Sequence, residues 1–131
     1  MTNLIDRKIF SIRIGSLVFF IFLVNCIALR FHWYSSIWWF DMLMHFMGGF
    51  WLGLVFILLF WNKIFDFNLI LKIILGVLFI GLGWEFFEIT VNHFTIKEYF
   101  NVLDTISDIC FDIAGGIFAI LYFFKNYINK I

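Results

Sequence analysis

Six carboxylates and one imidazole fall at helical spacings inside long apolar runs of this chain. Asp41 and His45 stand four residues apart at the start of one run. Glu85 and Glu88 stand three apart near the end of the next, and Asp104, Asp108 and Asp112 open the last at intervals of four. Spacings of three and four put each set on a single helical face. An oxygen-rich donor set with one imidazole suits a divalent cation, and Mg, Mn, Fe and Zn are all permitted by ligand type. Two ions are also compatible with the number of donors. Such a centre could polarise a phosphoryl or carbonyl oxygen and activate water, which is the chemistry of hydrolysis or transfer on a lipid or cell-envelope substrate. Asp41, His45, Glu85, Glu88 and Asp108 are the expected first ligands, with Asp104 and Asp112 as further candidates. One of Glu85 and Glu88 is then left as general base. Carboxylates this crowded cannot all ionise unaided, because burial and like-charge repulsion both oppose the charged form. Bound metal, retained protons, or the bases Arg30, Lys97 and His45 must neutralise them, and the acids outnumber the bases.

Plainer readings exist for several of these residues. Asp41 and Asp104 begin helices and could serve only as N-caps, a role that fits Glu85, Glu88 and Asp108 poorly. A single histidine is commonly a packing residue, but His45 has an acid one turn before it. His32 and His93 lie in connectors and read as interfacial side chains. Ser107 and Cys110 share a helix with the acids, yet no histidine base can be assigned to either, so no nucleophile is expected. Cys26 and Cys110 form no CxxC or zinc spacing. Trp84, adjacent to Glu85, is the one tryptophan placed to wall a pocket.

The elements that must hold these residues follow from hydropathy. With 131 residues, 64% hydrophobic and 14% charged, the chain has too many Phe, Ile and Leu side chains for a soluble domain of its size to cover. Crossing the hydrocarbon core takes about 20 apolar residues in a helix, and four segments reach that length, at about 9–29, 41–61, 69–91 and 104–124. The expected fold is all-α: an integral membrane four-helix bundle forming a single transmembrane domain over 1–131. The absence of proline suits uninterrupted helices. Most of the aromatic content is expected to face lipid. The stretch from Arg30 to Trp39 reads as an interfacial connector, since Trp and Tyr favour the headgroup level. Antiparallel threading brings the three acidic helix ends to one side. Gly49 and Gly53 follow His45, Gly81 precedes Glu85 by one turn, and Gly115 and Ala119 continue the aspartate stripe, so the backbones can approach closely beside the acids.

Basic residues set the orientation, because Lys and Arg are enriched in cytoplasmic flanks. With both termini cytoplasmic, Arg7, Lys8, Arg13, Lys63, Lys72, Lys125 and Lys130 lie inside, and only Arg30 and Lys97 lie outside. The acidic site is then extracytoplasmic. Arg13 interrupts the start of the first segment and is expected to snorkel to the interface. Arg7, Lys8 and Arg13 ahead of an apolar run also resemble a secretory n-region. However, Asn25 stands where a processing site before Cys26 would need a small residue, so the segment reads as a retained helix. The formal net charge is zero with no run of like charges, which argues against a nucleic-acid partner; membrane lipid is the expected environment.

Three stretches, Phe40-Asp41-Met42-Leu43-Met44-His45-Phe46, Gly83-Trp84-Glu85-Phe86-Phe87-Glu88, and Asp104-Thr105-Ile106-Ser107-Asp108 with Gly115-Gly116, together resemble the YjdF-type bacterial inner-membrane proteins. More loosely, they are similar to the VanZ-like proteins associated with glycopeptide resistance. The resemblance implies a multi-pass protein of the bacterial cytoplasmic membrane, with Asp41, His45, Glu85, Glu88, Asp104 and Asp108 as site positions, and it brings no reaction with it. The YjdF-type pattern often has Asn at the position of Asp112, which implies that a hydrogen-bonding side chain suffices there. Cation or proton transport is the competing functional class, because acids entering a membrane resemble a proton relay. Its weakness is that the opposite halves of these helices carry almost no polar side chains. A structural or accessory membrane subunit is the third class.

Overall fold

The computed structural model describes residues 2–95 and 100–128. Lys97 and Lys130, which entered the charge argument, lie outside the described residues. The order is α1 (Thr2–Arg30), a single-turn α2 (Trp33–Ser36), α3 (Phe40–Leu59), α4 (Phe67–Thr95) and α5 (Val102–Phe123), which ends in a wider π-helical turn, Phe124–Ile128. No strand occurs among the described residues. Four helices are long and apolar enough to cross a membrane, as hydropathy requires.

Several boundaries differ from the apolar windows for local reasons. Helix α5 starts two residues before Asp104, because the Asn101 side chain accepts from the backbone N–H groups of Leu103 and Asp104 at 3.2 and 3.4 Å. Asn101 is therefore the cap, and Asp104 sits in the first turn. Asp41 is likewise inside the first turn of α3, whose preceding residue, Trp39, makes no side-chain cap. The N-cap reading of these two acids is thereby corrected. At the start of α4, Asp66 Oδ1 accepts from Leu69 N at 2.8 Å, satisfying a backbone donor that a helix start leaves open. Helix α4 continues past its apolar window to Thr95, carrying Asn92 and His93 within the helix rather than in a connector.

The closest packing is between α3 and α5, and it depends on glycine. A Cβ on Gly49 would collide with the backbone carbonyl of Asp112, and one on Gly115 with the carbonyl of Phe46. A Cβ on Gly53 would stand 2.7 Å from that of Ala119. From Gly49 with Asp112 to Gly53 with Ala119 the pairing advances along both helices, so α3 and α5 run in the same direction. Helix α4 runs against them: Gly81 faces Asp112, and Val77, four residues earlier, faces Gly116. In lipid, where apolar burial drives little association, such close backbone contact is the main source of helix pairing.

The buried core at one end of the bundle is apolar and aromatic. Phe10, Leu54, Ile57, Leu69, Ile73, Ala119, Ile120 and Phe123 are buried there, and Phe10 packs against Trp61, Phe123 and Tyr127 at centroid distances of 5.2–5.7 Å. The start of α1 and the π-helical turn meet at this end, opposite the acids. Arg13 lies well inside α1 and donates from Nη1 to the hydroxyls of Tyr122 and Tyr127 at 3.0 and 3.1 Å. The i→i+5 geometry of the last turn suits two tyrosines five apart on one side. Phe19, Phe79 and Phe86 are well over half exposed, as expected of lipid-facing rings.

At the other end, α2 folds back over the bundle. His32 adopts φ 55°, ψ 37°, a left-handed turn, and its carbonyl accepts from the backbone N–H groups of Ser35 and Ser36 and from both hydroxyls. Trp33 and Tyr34 then lie edge-on to Phe40 at 5.5 and 5.0 Å.

Candidate metal centre

His45 occupies the middle of the acidic end, 6% exposed, with carboxylates from all three site helices around its ring. From α3, Asp41 Oδ1 lies 3.8 Å from Nε2. From α4, Glu85 Oε1 lies at 3.6 Å, and from α5, Asp108 Oδ2 lies at 3.9 Å. On the other side of the ring, Asp112 Oδ1 lies 3.3 Å from Nδ1.

The two ring nitrogens are therefore not equivalent. The Nδ1 contact is within hydrogen-bonding distance, and in the tautomer that carries its proton on Nδ1 the ring donates to Asp112. That leaves the Nε2 lone pair aimed at the three other acids. Their oxygens stand too far for hydrogen bonds. They are a few tenths of an ångström wider than the ~3–3.5 Å expected between neighbouring ligands about ~2.1 Å from a common ion. Asp41, His45 and Asp108 can each supply one ligand atom within 4.8 Å of the others, as can His45, Glu85 and Glu88. A carboxylate that orients a ligating imidazole from its far nitrogen is a recurrent feature of metal sites.

The site also carries unmet polar demand. Glu85 Oε1 and Asp108 Oδ1 are buried without a hydrogen-bond partner, in side chains 7% and 5% exposed. Buried carboxylate oxygens left unpaired are costly unless an ion or an ordered ligand completes them. The donor chemistry and the two orphaned oxygens both fit a divalent cation.

Asp112 is held in place by glycine on two sides. Gly49 packs on its backbone, and a Cβ on Gly81 would come 2.6 Å from its Oδ2. Asp104 is exposed and lies away from His45, but it lines a cavity of about 550 Å³ together with Glu85, Glu88, Asp108, Asn92, His93, Phe94, Phe100, Asn101 and Thr105. The structure thus brings Asp41, Glu85, Asp108 and Asp112 around the His45 ring, sets Glu88 beside them, and puts Asp104 at the cavity wall. Trp84 is not part of that wall. It is 55% exposed, with its ring tilted against Phe87 at 5.6 Å.

Two contributors have no spacing signature. His93 reaches the cavity because α4 is longer than its apolar window. Tyr34 donates to Asn25 Oδ1 at 2.7 Å, tying α1 to the site end. Partial burial pushes its hydroxyl up to about 12, and the nearby carboxylates of Asp41 and Glu88 act in the same direction. Tyr34 therefore stays a neutral donor at any physiological pH.

A family model described as Predicted membrane protein (DUF2238) matches residues 6–128. The chain belongs to this family. No curated protein and no solved structure matches it. In this DUF2238 protein the matched span contains all four membrane-length helices almost entirely, together with every residue of the His45 cluster.

Proposed function

We propose that this protein is a divalent-metal-dependent membrane enzyme that acts on a lipid or cell-envelope substrate at the extracytoplasmic face of a bacterial inner membrane. The observation that carries this reading is His45, with Nδ1 tied to Asp112 and Nε2 facing oxygens of Asp41, Glu85 and Asp108. In the proposed assignment Asp41, His45 and Asp108 hold the ion, leaving a position open for substrate as catalytic sites do. Mn, Fe and Zn suit the mixed carboxylate and imidazole set, and Mg is compatible with its oxygens. The ion would supply charge to a phosphoryl or carbonyl oxygen. Glu85, whose buried Oε1 has no partner, is the general base: it takes a proton from an attacking water and returns it to the leaving oxygen as the ester bond breaks. Orientation rests on the excess of Lys and Arg at the end opposite the acids. The motif resemblance to YjdF-type and VanZ-like proteins supports an envelope setting.

Transport fits less well. Below Asp112, the space between the helices is filled by Val77, Ile73, Leu54 and Ile57, all buried, with no polar side chain among them to carry an ion or proton onward.

Elemental analysis of detergent-purified protein, wild type beside an Asp41→Asn/His45→Ala variant of equal helicity, tests the proposal. Stoichiometric metal in the wild type and its loss in the variant are expected. Absence of metal after incubation with Mg, Mn, Fe and Zn would overturn the reading.

A further inference from the structure

At the end of the bundle opposite the acids, α1 and the π-helical turn bring hydrogen-bond donors together without a matching acceptor. Arg13 Nη1 donates to the hydroxyls of Tyr122 and Tyr127 at 3.0 and 3.1 Å. A guanidinium has further N–H groups on Nε and Nη2 and no acceptor, and these have no partner among the described residues. Each tyrosine oxygen serves as the acceptor and keeps its own O–H, which also meets no acceptor among the described residues. The cluster offers one positive charge surrounded only by donors.

That charge is not cancelled within the described protein, where no carboxylate lies within ion-pair distance of Arg13. Asp6 is two turns earlier on the same helix, about 10 Å along the axis. Asp66, the other acid of this end, accepts from Leu69 N. Arg7, Lys8 and Lys125 are exposed here and add to the positive field.

The donors are also held in place. The Tyr127 ring packs against Phe10 and Phe123 at 5.2 and 5.4 Å, and the Tyr122 ring stands edge-on to Phe50 at 5.9 Å. The π-helical turn after α5 lets both hydroxyls reach one guanidinium. Next to Arg13, the Ile14 carbonyl accepts from Trp51 Nε1 at 3.2 Å, which fixes α1 against α3. Arg13 itself is exposed and lies inside the membrane-length part of α1, Leu4–Arg30, three residues beyond Phe10 and its layer of Trp and Tyr rings. An unpaired guanidinium in such a layer reaches toward the headgroups. Free phosphate stays in water, whereas a lipid phosphodiester stands at this level with its chains in the bilayer.

We infer that Arg13, Tyr122 and Tyr127 bind the phosphate of an anionic phospholipid at the end of the bundle opposite the His45 centre. The guanidinium fork and the two O–H groups donate to the phosphate oxygens, and the surrounding Arg and Lys favour a headgroup of net negative charge. The site shares no residue with the metal reading and does not depend on it.

The test titrates delipidated full-length protein in detergent with phosphatidylglycerol, with diacylglycerol of the same chains, and with inorganic phosphate. EDTA is present throughout, so that no ion at the His45 end can hold phosphate. Phosphatidylglycerol is expected to bind on the order of tenfold tighter than either other probe. Tyr122→Phe/Tyr127→Phe keeps every charge and both rings, and Arg13→Lys keeps the charge without the fork. Each variant should retain its helicity and lose most of the preference. Diacylglycerol binding as tightly as phosphatidylglycerol would overturn the inference, because the acyl chains alone would then account for binding. Inorganic phosphate matching the lipid would overturn it in favour of a free-anion site. A preference that survives in either variant would assign the attraction to the diffuse basic charge of this end and leave Arg13 and its tyrosines as a clamp between α1 and α5, which also overturns it.

Discussion

His45 on α3 and Asp112 on α5 meet at 3.3 Å, Nδ1 to Oδ1, and this contact determines which face of the imidazole is free. With the proton held on Nδ1, Nε2 is a lone-pair donor surrounded by oxygens of Asp41, Glu85 and Asp108. Asp112 is thus a positioning residue in the proposed centre, not a fourth ligand. Asp112→Asn keeps a hydrogen-bonding oxygen beside Nδ1, and Asp112→Ala removes it. Metal affinity should fall by roughly 10- to 100-fold in the Ala variant, the usual effect of losing such a partner, and by much less in the Asn variant. Metal titration of the two purified variants decides this; equal losses would show that the charge of Asp112, not its hydrogen bond, matters.

Acid should empty the site. Carboxylates and imidazole bind an ion only in their deprotonated forms, so binding releases protons and protons compete. Bound metal measured after equilibration from pH 8 down to pH 5 should fall monotonically, with helicity unchanged. Loading that is flat across this range would argue against a His and carboxylate centre.

Tyr34→Phe removes the donor to Asn25 Oδ1 and keeps the ring against Phe40. The expected loss is about 1 kcal/mol, the usual net value of one hydrogen bond, with metal content intact. The link between α1 and α2 should loosen, read as faster amide exchange over residues 25–36. Metal loss in this variant would move Tyr34 from fastening the site end to taking part in the site.

Much of this arrangement could be read from the sequence, and the exceptions have identifiable causes. Hydropathy locates four spans because lipid must accept nearly every side chain in them, and spacings of three and four put the acids on shared faces. Hydropathy cannot locate the ends of α4 and α5, because backbone hydrogen bonding continues through polar residues that lipid would reject. Asn92 and His93 remain helical, and Asn101, three residues before Asp104, caps α5. The Asn101-x-x-Asp104 spacing was an available capping signal. Asp112 belongs to the same stripe as Asp104 and Asp108. Only the packed bundle, with Gly49 and Gly81 against Asp112, turns it to Nδ1 while Asp108 faces Nε2. The parts played by α1, through Arg13 with two tyrosines and Asn25 with Tyr34, depend on partners 9 to 114 residues away, which periodicity within one helix cannot reveal.

Orientation is open to direct measurement. In a Cys26→Ser/Cys110→Ser background, Ser36→Cys lies on α2 at the site end and Asn62→Cys lies just after α3 at the opposite end. Both positions are exposed. In intact cells a membrane-impermeant maleimide should label Ser36→Cys and spare Asn62→Cys until the cells are opened. The reverse pattern would place the acidic site in the cytoplasm and overturn the extracytoplasmic assignment.

Three glycines separate the packing of the bundle from the geometry of the site. Gly48 faces open space, and an added Cβ there meets nothing within 4 Å, so Gly48→Ala should leave both stability and metal binding unchanged. Gly49 faces the backbone of Asp112. Backbone cannot swing aside as a side chain can, so Gly49→Ala must push α3 away from α5 along their whole contact, and strain of this kind typically costs 1–3 kcal/mol or more. Gly81 is the informative case, because its Cβ would meet the Oδ2 of a side chain, 2.6 Å away. The Asp112 carboxylate can rotate, but rotation takes Oδ1 away from His45 Nδ1. Gly81→Ala should therefore retain most of the thermal stability and weaken metal binding as Asp112→Ala does, whereas Gly49→Ala should lose both together. Thermal melts and metal titrations on the three variants provide the comparison. Unchanged metal affinity in Gly81→Ala would mean that the His45 and Asp112 contact does not orient the ring.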